Sequence, residues 1–224
     1  MAIVTDNDGV WQVDRQETRK FFEAKWRQGV DLGSTPWVTT AVGKELQDLL
    51  INQTLKEDMK VLDIGCGIGV EACFLAKHGM RVTGIDFIPE TIRSAEEYAG
   101  IVGASVDFRC TDFLSNRSEI GSGFDLVFDQ GCFHHIPIAE REEYAKRAYG
   151  CLSQNGLLFI RAFSDLMLPS PTNDGPIRLS SDDILSTFSP FFSVEHLYRF
   201  KNIPLPRPWA YKPQIFWSFL ARKR

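Results

Sequence analysis

The sequence predicts an α/β protein built on a mostly parallel sheet, and three observations carry that expectation. From residue 60 onward, short apolar runs alternate with helix-periodic segments. One of those runs, Val61-Leu62-Asp63-Ile64, stops at Gly65-Cys66-Gly67-Ile68-Gly69 and gives way to a periodic segment with Ala72, Cys73, Leu75 and Ala76. Strand, glycine turn and helix in that order turn a glycine pattern into a nucleotide-binding expectation. Third, the first, second and third strands each end on or near an aspartate: Asp63, Asp86 and Asp112.

The elements follow in chain order. Residues 1–16 are polar and read as loosely ordered. Glu17 to Arg27 is a helix with Phe21, Phe22, Lys25 and Trp26 close to one face. After a loop from Gly29 to Ser34, Pro36-Trp37 opens a second helix, with Pro36 suited to the first turn. Val38, Val42, Leu46, Leu49 and Leu50 give it the spacing of a helix packed on a sheet. The first strand is Lys60 to Ile64, with its helix from Gly69 to His78. Arg81 to Asp86 is the second strand, and Pro89 opens a helix through Tyr98. Val106 to Cys110 and Phe124 to Asp129 are the third and fourth strands. An amphipathic helix from Ile138 to Cys151 comes next, and Asn155-Gly156 turns the chain into the fifth strand, Leu157 to Phe163. Ser164 to Leu179 is a loop rich in Ser, Pro and Asp; Ser180 then caps a helix through Phe188. Val194 to Phe200 and Gln214 to Ala221 are the last two strands, separated by a proline-rich stretch that holds Arg207, Trp209 and Tyr211. Residues 1–224 read as one domain, with 1–34 as a leader.

Composition narrows the function. Hydrophobic residues make up 44% and aromatics 12%, enough for a sizeable core. The net charge of −4, with no long run of like charges, argues against nucleic acid as a partner. Cysteines at 66, 73, 110, 132 and 151 are odd in number and never in C-x-x-C spacing, so neither a disulfide framework nor a metal site is expected. No signal peptide and no membrane-spanning run stand out, and reduced thiols fit a cytoplasmic protein.

The glycine turn also says which ligand suits it. A dinucleotide would bring pyrophosphate towards Asp63, which would repel it. Val70 stands where a dinucleotide fingerprint wants Gly or Ala. A ligand with an ammonium and a sulfonium and no phosphate suits this acidic strand end, and S-adenosylmethionine (SAM) is one. Asp86, at the end of the second strand, can accept hydrogen bonds from both ribose hydroxyls.

Val61-Leu-Asp-Ile-Gly-Cys-Gly-Ile-Gly69 with Gly84-Ile-Asp-Phe87 resembles the first two motifs of class I SAM-dependent methyltransferases. The likeness continues through Cys110-Thr-Asp-Phe113, Phe124-Asp-Leu-Val-Phe-Asp129 and Leu152-Ser-Gln-Asn-Gly-Leu-Leu-Phe159, over roughly residues 35 to 223. The resemblance implies a Rossmann-like, seven-stranded sheet whose last strand is antiparallel. It implies SAM as cofactor, bound by Asp63, Gly65, Cys66, Gly67, Asp86 and Phe87. Asp112 would bond the adenine amino group and Phe113 would offer a backbone N–H to the ring; otherwise Asp112 caps a turn. The leader, Phe21-Phe-Glu-Ala-Lys-Trp26 with Thr35-Pro-Trp37, resembles that of small-molecule enzymes of the thiopurine methyltransferase and tellurite-resistance type, where it closes over the SAM site.

Within the same resemblance, Asp129 would lie under the sulfonium and Phe133 against the adenosine, while His134 or His135 approaches the acceptor as a neutral base. The alternative for either histidine is a ring bonded to backbone at a loop-to-helix junction. Cys132 reads as a packing thiol. Trp37, Arg161, Trp209 and Tyr211 are the expected substrate pocket, with Arg161 able to hold a substrate carboxylate. The stretch lacks the Asn-Pro-Pro-Tyr and Pro-Cys motifs of amide and cytosine methylation. The expected activity is methyl transfer to a small sulfur, nitrogen or oxygen nucleophile, leaning to a thiol. The alternatives are a non-methylating SAM-binding enzyme such as a cyclase, a nicotinamide oxidoreductase, which Asp63 and Val70 oppose, and a protein or RNA methyltransferase.

Overall fold

The computed structural model describes residues 3–5, 11–28, 38, 41–115, 120–167, 177–202 and 214–224. Where a loosely ordered start was expected, β1 (Ile3–Thr5) and β2 (Trp11–Val13) form an antiparallel pair. Both are rich in β-branched or aromatic residues, and the sequence between them, Asp6-Asn-Asp-Gly9, consists of turn formers. Asp14 caps α1 (Arg15–Arg27) by accepting the Glu17 N–H at 2.9 Å.

The second helix is shorter than expected. Helix α2 runs Lys44–Ile51 behind Gly43, and residues 41–43 are not helical. Gly43, extended at ψ 137°, stands at the N-cap, and glycine is unfavourable inside a helix; a side chain there would come within 2.8 Å of the Arg161 guanidinium. Then come β3 (Lys60–Ile64), α3 (Val70–Lys77), β4 (Arg81–Asp86) and α4 (Pro89–Val102). Helix α4 passes the expected stop at Tyr98 and ends where left-handed Gly103 caps it. The chain continues through β5 (Asp107–Cys110), β6 (Phe124–Gln130), two short 3₁₀ turns (Phe133–His135 and Ile138–Glu140) and α5 (Arg141–Cys151). Last come β7 (Leu152–Phe163), α6 (Ser181–Phe188), β8 (Phe192–Asn202) and β9 (Gln214–Lys223). Ser180 caps α6 in a reciprocal box with Asp183.

The sheet has the order β5-β4-β3-β6-β7-β9-β8. Pairs from β5 to β7 are parallel, and β9 runs antiparallel to both β7 and β8. Strand alternation sorts the side chains onto two faces. Val61, Val82, Leu126, Phe128 and Phe159 pack with Leu46 and Leu49 of α2 and Leu75 of α3. On the opposite face, Leu62, Ile64, Val127, Leu158 and Ile160 pack with Tyr144 and Ala148 of α5 and Phe188 of α6. Near the glycine turn the Phe108 ring fills a notch left by two glycines. A Cβ on Gly69 would fall 2.6 Å from that ring, and one on Gly84 would fall 2.8 Å from it. No helix among the described residues is long and apolar enough to cross a membrane.

Candidate functional site

From β3 the chain steps outward to β4 and β5, then returns to β6 on the other side of β3. Such a reversal opens a crevice at the strands' carboxyl ends. The glycine turn forms its floor. Gly65 and Gly67 take φ of 68° and 55°, a region costly for other residues. A Cβ on Gly65 would fall 2.9 Å from Cys132, so the loop after β6 packs directly on the turn, as expected of a packing thiol. A Cβ on Gly67 would meet nothing within 4 Å, so here the floor is open. Cys66 is buried and donates its N–H to the Ile85 carbonyl at 2.9 Å, pinning the turn to β4.

Carboxylates crowd the β3–β5 side. Asp63 is 3% exposed; burial, and then the charges of Glu71, Asp129 and Asp86, drive its carboxyl well above the ordinary range. Asp86 accepts N–H groups from Ile88 at 3.0 Å and Gly67 at 3.3 Å, and burial still pushes it up to about 6. Asp112 accepts the Leu114 N–H at 2.9 Å and the Ser115 hydroxyl at 3.0 Å, and it pairs with Arg15. Burial pushes it up, but Arg15 and the Leu114 N–H prevail and hold it below the usual range. Asp112 therefore does cap a turn, and its outer oxygen faces the leader helix. Phe113 is buried with its ring 5.0 Å from Tyr144, which leaves its backbone as the part able to meet a ligand. Helix α1 lies across these strand ends: Arg15 pairs with Asp112 and Glu140, Arg19 sits 5.3 Å from the centre of the Phe87 ring, and Phe22 meets His135 edge-on at 5.1 Å.

On the β6 side three expectations are corrected. Asp129 is fully buried, accepting N–H groups from Cys132 at 2.9 Å and Phe133 at 3.2 Å and the Tyr144 hydroxyl. Its neighbour in register is Ile64, not Asp63, so it points to the α5 face, and a place under a sulfonium does not match that geometry. Phe133 is also fully buried, with Phe188 at 4.9 Å and Tyr144 at 5.2 Å; it is a core residue, not an adenosine platform. His134 is 3% exposed and stacks on Phe163 at 4.7 Å, and its Nδ1 accepts the Phe163 N–H at 3.1 Å. The lone pair a base would use is thus committed to backbone. Burial, and then His135, hold it well below the ordinary imidazole range. His135 remains: half-buried, lowered by burial to about 3, with Nδ1 free of any partner among the described residues.

Arg161 lies at the end of β7, beside Gln130 in register, and is 7% exposed. It donates to Gln130 at 3.1 Å, and its Nε stands 3.7 Å from the Glu45 carboxylate. Phe216 and Phe200 lie 4.5 and 5.0 Å from its guanidinium carbon. Gln130 in turn donates to Glu71 at 2.7 Å. Aromatic rings cover its faces, while Nε and the Glu45 Oε2 have no hydrogen-bond partner among the described residues, so part of the guanidinium edge stays open to a further acceptor. Glu45, Glu71, Gln130 and Arg15 were not among the expected site residues. The signals were present: an acid in the first turn after the glycines, and a Gln one residue past the fourth strand. Trp37, Arg207, Trp209 and Tyr211 lie outside the described residues. An open depression near Leu50, Glu57, His78 and Gly79 sits at the amino ends of β3 and β4, away from this chemistry.

The site suits a nucleoside ligand that carries positive charge. Asp63, Glu71 and Asp86 surround an open glycine turn, and among the described residues no Lys or Arg pairs with Asp63 or Asp86. Phosphate would be repelled there, whereas an ammonium, a sulfonium and ribose hydroxyls match the acceptors. Comparison with known proteins agrees. A general methyltransferase-domain model matches residues 61–156. An uncharacterized methyltransferase of Schizosaccharomyces pombe is 35% identical over 105 residues, 47% of this chain and 72% of the relative. A 2-heptyl-1-hydroxyquinolin-4(1H)-one methyltransferase of Mycobacteroides abscessus is 28% identical over 163 residues, 72% of this chain and 70% of that protein. A structure solved in work on converting a disulfide bond into a thioacetal group during echinomycin biosynthesis shares the fold, with a TM-score of 0.76, 23% identity and 91% of each chain covered. The chain belongs to the class I SAM-dependent methyltransferases, and SAM is its cofactor.

Proposed function

We propose that the protein methylates the sulfur, nitrogen or oxygen of a small molecule, with a thiol as the favoured acceptor. One observation carries the preference. Of the two histidines at the crevice, His134 has spent its Nδ1 lone pair on Phe163, and His135 is a weak base, lowered to about 3. A hydroxyl or ammonium acceptor needs help to lose its proton. A thiol, with a reference pKa of about 8.5, needs little. The M. abscessus relative is named for a hydroxyquinolinone substrate, which also supports a small acceptor.

When bound, SAM supplies a methyl group activated on a sulfonium. In this reading Asp86 holds the ribose hydroxyls. The turn that Asp112 caps presents the Phe113 backbone to the adenine, and Asp63 with Glu71 balances the positive charges. Gly65, Cys66 and Gly67 let the ligand approach the backbone. Helix α1, bridging Asp112, Phe87 and His135, keeps water from the crevice and holds the acceptor in line, a contribution worth roughly 7–11 kcal/mol when geometry is good. We read the chain as one cytoplasmic domain with a lid in residues 1–34, acting without nucleic acid.

The test is methyl transfer from isotope-labelled SAM to a panel of thiols, amines, phenols and carboxylic acids, with SAM affinity measured on the same sample. Thiols are expected to be methylated fastest and carboxylic acids not at all. Faster transfer to amines would end the thiol preference, and tight SAM binding without any transfer would end the small-molecule reading.

A further inference from the structure

We propose that Gln130 is a positioning residue for the cofactor: it ties Arg161 to Glu71 and so holds the Glu71 carboxylate, as an anion, for the ammonium of SAM. This role rests on the reading above in which Glu71 balances the cofactor's positive charge.

Three strands bring polar side chains to one face at their carboxyl ends. Val61, Phe128 and Phe159 pack on the face covered by α2 and α3. Alternation turns the residues two places on, Asp63, Gln130 and Arg161, to the same face. Glu71, in the first turn of α3, meets them there and is 8% exposed. The backbone of Gln130 is fixed: it stands beside Arg161 in register, and the next N–H, that of Gly131, donates to the Arg161 carbonyl at 2.9 Å. Both ends of its side-chain amide are in use. The oxygen accepts from Arg161 Nη1 at 3.1 Å, and the nitrogen donates to Glu71 Oε1 at 2.7 Å.

That donor matters because of the groups around Glu71. Asp63 of β3 is an anionic neighbour, Tyr98 of α4 also feels its charge, and the cation that reaches it, Arg161, is shared with Glu45 of α2. Burial pushes the Glu71 carboxyl up, while its own N–H, then Gln130 and Arg161, pull it back. An amide polarised by a guanidinium on one side donates more strongly on the other. Among the described residues no other side chain donates to Glu71, which leaves its second oxygen for an ammonium.

The test is a double-mutant cycle on SAM affinity, measured by calorimetry on the full chain with no acceptor present. Gln130→Met keeps the length of the side chain but removes the donor, and is expected to weaken SAM binding about tenfold. Glu71→Gln should weaken it at least as much, and adding Gln130→Met to Glu71→Gln should cost about twofold at most. The pH below which affinity declines should also lie higher in Gln130→Met than in wild type, because Glu71 without its donor takes up a proton more readily. Losses that simply add in the cycle overturn the inference while leaving Glu71 in its charge-balancing role. So does weaker binding with an unmoved pH profile, the mark of a merely structural Gln130. Wild-type affinity in Glu71→Gln overturns the inference and the role of Glu71 together. If Gln130→Met does not fold, Gln130→Asn, which keeps the amide but draws it back by one carbon, is judged by the same criteria.

Discussion

On the β3–β5 side of the crevice, each polar group stands where its own short stretch of sequence puts it. Asp63 precedes the glycines, Asp86 ends β4, and Asp112 follows β5. On the β6–β9 side, what a residue does is decided by partners far along the chain. Asp129 answers to Tyr144, His134 to Phe163, and Arg161 to Glu45 and Phe216. One side is arranged to receive a ligand, the other mostly to hold itself in place. That difference explains why similar-looking residues, an aspartate at a strand end or an aromatic near a loop, do unrelated work on the two sides.

The comparison can be tested at its strongest point first. In the proposed reading Asp86 holds two charge-assisted ribose bonds, worth about 1.5–3 kcal/mol each, so Asp86→Ala should weaken SAM binding roughly a hundred- to ten-thousandfold in calorimetry. The same carboxyl gives a pH signature. Its value in the folded protein, about 6, is raised from 3.8, so the folded chain holds more protons than the unfolded chain between those values. Stability of the ligand-free protein should therefore fall as pH rises through that window, while SAM affinity should weaken as pH drops below about 6 and the carboxylate is lost. SAM affinity that stays flat from pH 5 to 7 would argue against Asp86 acting as an ionised acceptor.

Phe133→Ala should behave in the opposite way, with a loss of about 3–5 kcal/mol in denaturant unfolding. SAM affinity of the folded protein should barely change. An affinity loss at full stability would restore the ring to the cofactor. Smaller still is Tyr144→Phe, which takes one donor from buried Asp129 and should cost about 1–3 kcal/mol. Because Asp129 also holds the N–H groups of Cys132 and Phe133, methyl transfer should slow while SAM affinity holds; equal rates would show that the loop does not depend on this anchor.

The sequence makes the β3–β5 side legible because strand, turn and carboxylate lie within a few residues of each other. All seven strands of the main sheet could be read, β3 and β4 to the residue. The two strands at the start could not, since three-residue runs among polar neighbours carry little periodicity. Asp129 and Phe133 were misjudged for another reason. The role of Asp129 depends on which face of β6 it occupies relative to β3, a matter of register that no local pattern states, and Phe133, in the 3₁₀ turn beyond β6, is claimed by Tyr144 and Phe188 farther along the chain. His134 failed in the same way, because its partner lies on β7. Arg15 and Glu45 join the site only through helix packing.

The notch that holds Phe108 makes one steric unit of three positions that are distant in the chain. Gly69 and Gly84 are small because the ring is there, and the ring fits because they are small. Gly69 is bound by its backbone as well, with φ of 76°, but Gly84 is not. A side chain introduced at position 84 would press on the Phe108 ring at 2.8 Å and on the Cys66 sulfur at 3.2 Å, so it fits only after the ring at 108 has been removed. The order of the two changes is fixed: the ring must go first, at the price of a brief cavity. While Phe108 keeps its ring, the glycine at 84 is what lets the strand beside the cofactor turn keep its place.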